Sequence, residues 1–289
     1  MAIGTPEGLR IAAGLHLVAT PIGAARDITL RALDILTAAD VLAAEDTRTL
    51  RHLMEIHGVP INGRPMIAYH DHNGAAVRPR LIALLKEGKS VAYASEAGTP
   101  LVADPGYQLA RSAIEEGLPV LAAPGPSAVL CALTVSGIAS DRFTFMGFLP
   151  NKSAARKTVL REVKAVPSSL IFYESPHRVS ESLRDMRECL GQDRRAAVCR
   201  ELTKKFEEIT RGTLGDLAEV FAQRDIKGEV VIVIDRGEVT LASPLEIETA
   251  LMSAMQTRST KEAAAVVSEE YGLSKRDAYQ MALKLEGRE

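Results

Sequence analysis

Several short apolar runs in this chain stop at clusters of glycine, proline and charge, and those clusters hold the residues able to do chemistry. Ser95-Glu96-Ala97-Gly98-Thr99-Pro100 follows Val91-Ala92-Tyr93-Ala94, and its loop continues through Asp104, Pro105 and Gly106. Glycine lets a ligand approach the backbone closely, and proline stiffens the wall that the ligand meets. Glu96 and Asp104 suit a cationic or hydroxyl-bearing ligand. An ordinary proline-rich crossover loop would read the same way. Pro124-Gly125-Pro126-Ser127 offers rigid backbone ahead of a helix whose free N–H groups favour carboxylate or phosphate. Ala19-Thr20-Pro21-Ile22-Gly23 is a third such loop, and three of them at strand ends can line one crevice. None carries G-x-G-x-x-G or G-x-x-x-x-G-K-[ST], which leaves a dinucleotide or P-loop nucleotide site unsupported.

Charged clusters follow other strands. In Glu45-Asp46-Thr47-Arg48, capping of a helix by Asp46 or Thr47 competes with a role in a site. His70-Asp71-His72-Asn73 has no third ligand nearby and reads as a polar loop with a substrate-facing histidine rather than a metal site. Further on, Lys152, Arg156, Lys157 and Arg161 occur with no acid between residues 151 and 161. Residues 145–215 hold 14 basic and 9 acidic side chains, a patch that can bind phosphates or simply face solvent. Glu174-Ser175-Pro176-His177-Arg178 and Arg200-Glu201-Leu202-Thr203-Lys204-Lys205 each end a strand, where clustered charge marks a site or a salt-bridge network.

The elements that must position these residues alternate between strand and helix, the pattern of an α/β protein. Strands are expected at 15–19, 41–44, 91–94, 120–122, 170–173, 196–199 and 230–234, with an extended stretch at 206–210. Helices are expected at 30–39 with Thr29 as cap, 47–57, 77–86, 107–116, after Ser127, and 177–190. The texture changes near residues 137–141, which predicts α/β domains at 13–137 and 141–238. Ser243-Pro244-Leu245-Glu246, Ser259-Thr260-Lys261-Glu262 and Ser274-Lys275-Arg276-Asp277 read as three caps, hence a small helical domain at 243–289. Ala263, Val266, Val267, Ala278, Met281, Ala282 and Leu285 would form its buried faces.

The 289 residues are 46% hydrophobic and 25% charged, enough for a sizeable core, with a net charge of −2. No apolar run reaches the roughly 18 residues of a membrane span, and the first residues lack a basic region followed by an apolar one. Cys131, Cys189 and Cys199 match neither a disulfide framework nor a zinc site. They read as small buried side chains in a reducing cytoplasm.

Taken together, the motifs resemble the ribosomal RNA small subunit methyltransferase I family, of the tetrapyrrole methylase fold. The likeness runs from Leu15-His16-Leu17-Val18-Ala19-Thr20-Pro21-Ile22-Gly23 through Ala44-Glu45-Asp46-Thr47-Arg48, His70-Asp71-His72-Asn73, Ala97-Gly98-Thr99-Pro100 and Asp104-Pro105-Gly106-Tyr107. It continues through Pro124-Gly125-Pro126-Ser127-Ala128, Gly147-Phe148-Leu149-Pro150, Phe172-Tyr173-Glu174-Ser175-Pro176-His177-Arg178, Arg200-Glu201-Leu202-Thr203-Lys204-Lys205 and Lys227-Gly228-Glu229 to the tail. The resemblance implies a two-domain class III methyltransferase that binds S-adenosylmethionine between its α/β domains. It implies a homodimer that methylates the 2′-oxygen of a cytidine in the decoding centre of 16S ribosomal RNA, free or within the 30S subunit. Donor contacts would come from Pro21, Glu96, Ala97, Gly98, Thr99, Ser127 and Ala128, and from Phe172, Tyr173, Leu202 and Glu229. Glu96 stands where the family usually has aspartate, and Ala24-Ala25 where it has Asn-Leu.

A ribose hydroxyl needs somewhere to send its proton. Charge clustering makes Glu201 the first candidate base and Asp46 the second, with Lys204 beside them. Lys152, Arg156, Lys157, His177, Arg178 and Lys205 are the candidate RNA contacts, and no metal or membrane is expected. A tetrapyrrole methyltransferase on the same fold is the first alternative, opposed by the basic stretch and the helical tail. The second is a non-catalytic nucleic-acid-binding protein built on a helix-turn-helix. From Pro244 onward the tail has 6 basic and 8 acidic residues, a poor balance for a DNA reader.

Overall fold

The computed structural model describes residues 10–103, 105–237, 244–271 and 273–287. Asp104 and Ser243, the expected first cap of the tail, lie outside them. The chain forms two units, one ending at Arg236 and one beginning at Gly237.

In the larger unit, β1 (Gly14–Val18), β2 (Val41–Ala44), β3 (Met66–Ala68), β4 (Ser90–Ala94) and β5 (Val120–Ala123) form a sheet in the order β3-β2-β4-β1-β5. Every neighbouring pair is parallel. β2 and β4 are buried at every position, as strands covered on both faces must be. One face packs α1 (Leu30–Ala38) and α2 (Thr47–Ile56) through Ala32, Ile35, Leu36, Leu50 and Met54. The other packs α3 (Gly74–Lys86) and α4 (Tyr107–Glu115) through Leu81, Leu85, Leu109 and Ala113. The Thr29 hydroxyl caps α1 by accepting the Ala32 N–H at 3.1 Å. Because the strands are parallel, the loops leaving their carboxyl ends emerge at one edge. Connections from β1 and β4 depart to opposite sides there, which opens a crevice.

α5 (Ala128–Ser136) leads into a second sheet of β6 (Phe143–Phe148), β7 (Ser169–Glu174), β8 (Arg195–Arg200), β9 (Glu208–Thr213) and β10 (Val230–Ile234). Its order is β6-β7-β10-β8-β9, with β6 and β7 parallel and the other pairs antiparallel. Side chains alternate between its faces with a period of two. Leu170, Phe172, Val198, Val230 and Ile232 share a core with α6 (Ser153–Glu162), α7 (Val179–Leu190) and α8 (Leu214–Phe221). Ile171, Tyr173, Ala197, Cys199, Val231 and Val233 share the opposite core with α5 and with Ile22 of the first loop. The expected boundary at 137–141 puts α5 with the first sheet, whereas Val129, Ala132 and Leu133 of that helix pack on the second. The two α/β halves are thus joined through a common core.

The smaller unit holds α9 (Pro244–Met255), α10 (Thr260–Tyr271) and α11 (Lys275–Leu285) around Ile247, Leu251, Ala264, Val267, Ala278 and Ala282. The Ser259–Glu262 cap forms in both directions, and the Ser274 hydroxyl accepts the Asp277 N–H. Val266 departs from expectation: it is 40% exposed, and the buried stripe passes through Ala263, Ala264 and Val267 instead. No helix among the described residues is long and apolar enough to cross a membrane. The three cysteines are free, and burial pushes the Cys199 thiol up to about 12.

Candidate active site

Loops from the carboxyl edge of the first sheet are tied to one another before they meet anything else. Thr20 and Gly98 exchange two backbone hydrogen bonds of 3.0 Å. The Thr20 hydroxyl donates to Ser95 O at 3.1 Å, and the Thr99 hydroxyl donates to Pro126 O at 2.9 Å. These bonds weld the loops after β1, β4 and β5 into one wall. The first loop also leans on the second sheet. A Cβ on Gly23 would stand 2.5 Å from Lys204 Cγ and 2.7 Å from Thr203 Oγ1, so only glycine permits the approach. The Ala24 N–H donates to Thr203 Oγ1 at 3.1 Å, and His57 Nε2 donates to Ala25 O at 2.8 Å.

Between this wall and the second sheet lies a cleft of about 900 Å³, within the size range of small-molecule sites. Pro21, Ile22, Gly23, Glu96, Ala97, Gly98, Thr99, Ser127 and Ala128 line one side. Phe148, Tyr173, Glu174, Ser175, Lys204, Gly228, Glu229 and Val231 line the other. The Tyr173 ring stands edge-on to Phe145 at 4.8 Å and to Phe148 at 5.6 Å. A side pocket of about 480 Å³ opens beside the cleft, lined by Glu45, Asp46, Thr47, Arg48, Ala68, His70, Asp71, His72 and Glu96. Glu45, Asp71 and Glu96 line both cavities and form the seam between them.

The expected site residues divide sharply. Pro21, Glu96, Ala97, Gly98, Thr99, Ser127, Ala128, Tyr173, Lys204 and Glu229 all reach the cleft. Phe172 does not: its side chain is wholly buried on the other face of the second sheet, against α7 and α8. Leu202 is buried beside Ile22 and supports the wall from behind.

Glu201 adopts a left-handed backbone, with φ of 50°, and its Oε1 is engaged twice. It accepts the Glu229 N–H at 3.0 Å and the Lys204 ammonium at 3.0 Å, and Lys204 also meets Glu229 at 3.2 Å. Burial pushes the Glu201 carboxyl up, but the Glu229 N–H and Lys204 outweigh it, so the group lies below the ordinary carboxylate range. A base held that way is a poor proton acceptor. Asp46 is engaged too. It caps α2 through the Arg48 N–H at 2.8 Å and pairs with the Arg48 guanidinium at 2.7 Å, which draws its carboxyl down to about 2.

The expected RNA contacts are corrected in part. Arg156 is 1% exposed and bound to Asp185 at 2.7 Å, so it holds α6 to α7 and offers nothing to a phosphate. Arg178 donates to Leu149 O at 2.6 Å and to Asn151 Oδ1, and it pairs with buried Glu174 at 3.3 Å. Lys157 bridges Glu188 and Asp185. Lys152, His177 and Lys205 are exposed.

Glu45 is the site residue that sequence reasoning passed over in favour of its neighbour. It is the first residue after β2, and alternation alone turns its side chain into the cleft while Asp46 turns to the helix. Burial raises its carboxyl, Glu96, Asp71 and Asp46 raise it further, and His70 opposes them. Phe148 enters the sequence reading only within Gly147-Phe148-Leu149-Pro150, and its exposed ring at the cleft is the further sign of a role.

Tetrapyrrole (corrin/porphyrin) methylases match residues 14–218, and the RsmI C-terminal HTH domain matches residues 242–286. A ribosomal RNA small subunit methyltransferase I from Mesorhizobium japonicum is 49% identical, covering 94% of this chain and 92% of its own. The chain belongs to the ribosomal RNA small subunit methyltransferase I family. The member from Haemophilus influenzae is 42% identical over 93% of this chain and 96% of its own. Solved structures extend the likeness at the level of fold. Diphthine synthase has a TM-score of 0.59 at 15% identity, over 76% of this chain and 89% of its own. The uroporphyrin-III C-methyltransferase of Thermus thermophilus in complex with S-adenyl homocysteine has a TM-score of 0.54 at 18% identity, over 76% and 96%.

Proposed function

We propose that this protein uses S-adenosylmethionine to methylate the RNA of the small ribosomal subunit, at the 2′-oxygen of a cytidine. The observation that carries the reading is the cleft at the carboxyl edge of the first sheet. Its backbone-rich wall of Gly98, Thr99, Ser127 and Ala128 stands opposite Tyr173 and Glu229 in a chain of this family. The cleft fits the donor's chemistry. Ile22, Phe148 and Tyr173 provide apolar and aromatic surface for a purine and a thioether, while Glu96 and Glu229 suit a ligand bearing positive charge. When bound, S-adenosylmethionine supplies a methyl group already activated on a sulfonium, so the protein's task is alignment and exclusion of water.

Lys152, His177 and Lys205 are exposed and free to meet RNA phosphates. The fused core of the two halves gives the cleft fixed walls, and a second copy of the chain completes a homodimer acting in the cytoplasm. Incubation with labelled S-adenosylmethionine and either 30S subunits or naked 16S RNA tests the reading, followed by nuclease digestion and mass spectrometry. The expected product is 2′-O-methylcytidine at one position. Label transfer to neither substrate, or to a base carbon or nitrogen, would overturn it.

A further inference from the structure

Both carboxylates that the sequence puts forward as base are committed elsewhere, Glu201 to Lys204 and Glu229, Asp46 to Arg48 and the start of α2. The seam between the two cavities holds three other acids, and they differ. Glu96 and Asp71 are exposed to solvent, whereas Glu45 is half-buried at the end of β2. No hydrogen bond or ion pair engages the Glu45 carboxylate among the described residues. Its position also matches the geometry of the reaction. A donor in the main cleft and a nucleoside in the side pocket can come together only across the seam, and Glu45 lines both spaces.

We propose that Glu45 is the proton acceptor for the attacking ribose hydroxyl, and that the side pocket beside it admits the target nucleoside. This rests on the reading of the cleft as a donor site and of the substrate as a ribose hydroxyl. In the step, an oxygen lone pair of the hydroxyl forms the new O–CH₃ bond. The S–CH₃ bond breaks with its electron pair going to sulfur, which leaves S-adenosylhomocysteine as a neutral thioether. The hydroxyl proton passes to the Glu45 carboxylate and then to solvent.

Arg48, at the mouth of the pocket with a side chain 89% exposed, is placed to meet a phosphate next to that nucleoside. The groups facing Glu45 are Asp46 and Arg48 on its own loop, His70, Asp71 and His72 after β3, and Glu96 after β4. Burial, and then its acid neighbours, keep Glu45 more basic than a free carboxylate, the direction a proton acceptor needs.

The test is Glu45→Gln in the full chain, with wild type and Glu45→Asp alongside. Single-turnover methylation should fall about 10²- to 10⁴-fold in Glu45→Gln, and Glu45→Asp should recover part of it. Calorimetric affinity for S-adenosylmethionine and filter-binding affinity for the RNA should each stay within about 3-fold. The acid limb of the wild-type pH–rate profile should flatten in Glu45→Gln. A Glu45→Gln rate within a few-fold of wild type overturns the assignment. So does a rate loss matched by lost donor or RNA affinity, which would make Glu45 a binding group. Wild-type protein that transfers no label would instead fail the functional reading itself.

Discussion

Two sets of carboxylates, one associated with each sheet, are treated in opposite ways. On the second sheet, Glu201 is held through one oxygen by an ammonium and a backbone N–H, and Glu174 is saturated by Arg178, Ser182 and its own loop. On the first sheet, Glu45, Asp71 and Glu96 crowd together, and their mutual repulsion at Glu45 is opposed by His70. Saturated acids build; an unsaturated cluster stores a demand for protons or cations that a substrate can meet. Charge clustering in the sequence cannot separate the two, because the difference lies in which partners the fold delivers.

The largest expected effect lies at the extreme of the saturated kind. Arg156→Ala leaves buried Asp185 with only the Ser153 hydroxyl and Lys157 at 3.7 Å, and should destabilise the larger unit by about 3 kcal/mol in denaturant unfolding. A variant of wild-type stability that has lost RNA affinity would restore Arg156 as an RNA contact. Next comes Gly228→Ala. Gly228 has φ of 92°, and a Cβ there would stand 2.3 Å from the Glu201 carboxyl carbon. Loss of about 2 kcal/mol and weaker donor binding are expected, since Gly228 and Glu229 line the cleft. Unchanged thermal stability would mean that Glu201 is not held there.

The sharpest comparison is the smallest in energy. Glu201 sits below its unfolded value, so its contribution is present above about pH 4.3 and fades as pH falls through the folded value. Glu201→Gln should therefore be about 1 kcal/mol less stable than wild type at pH 7 and converge with it in acid. Glu45 sits above its unfolded value, so its ionised form opposes folding at neutral pH. Glu45→Gln should be about 0.5 kcal/mol more stable at pH 7, an advantage that vanishes below about pH 4. Shifts of the same sign in the two variants would dissolve the contrast.

Much of the fold is legible because its signals are local. β2 and β10 are unbroken apolar runs, β4 is one after Ser90, and Thr29, Ser259 and Ser274 cap the helices they precede. β3 escapes because Met66–Ala68 is too short to carry a period. α8 escapes although Thr213 and Asp216 form a reciprocal cap, with aspartate in the place where glutamate is the stronger sign. α5 is legible as a helix but not in its allegiance, since an almost uniformly apolar helix does not reveal which sheet it covers. In the site, loops that present backbone were readable from Gly and Pro. The choice between Glu45 and Asp46 was not, because one residue's shift along the chain exchanges cleft for cap.

The allegiance of α5 has a mechanical consequence. β5 belongs to the first sheet and α5 packs on the second, so Pro124-Gly125-Pro126-Ser127 is a strap between them. The two proline rings restrict its torsions, and Gly125 lies so close to Ala19 that a Cβ there would come within 2.9 Å of Ala19 Cβ. A strap that short and stiff works as a gauge block. It sets the width of the gap between the sheets before any ligand arrives, and little folding energy is then needed to hold the jaws at the right span.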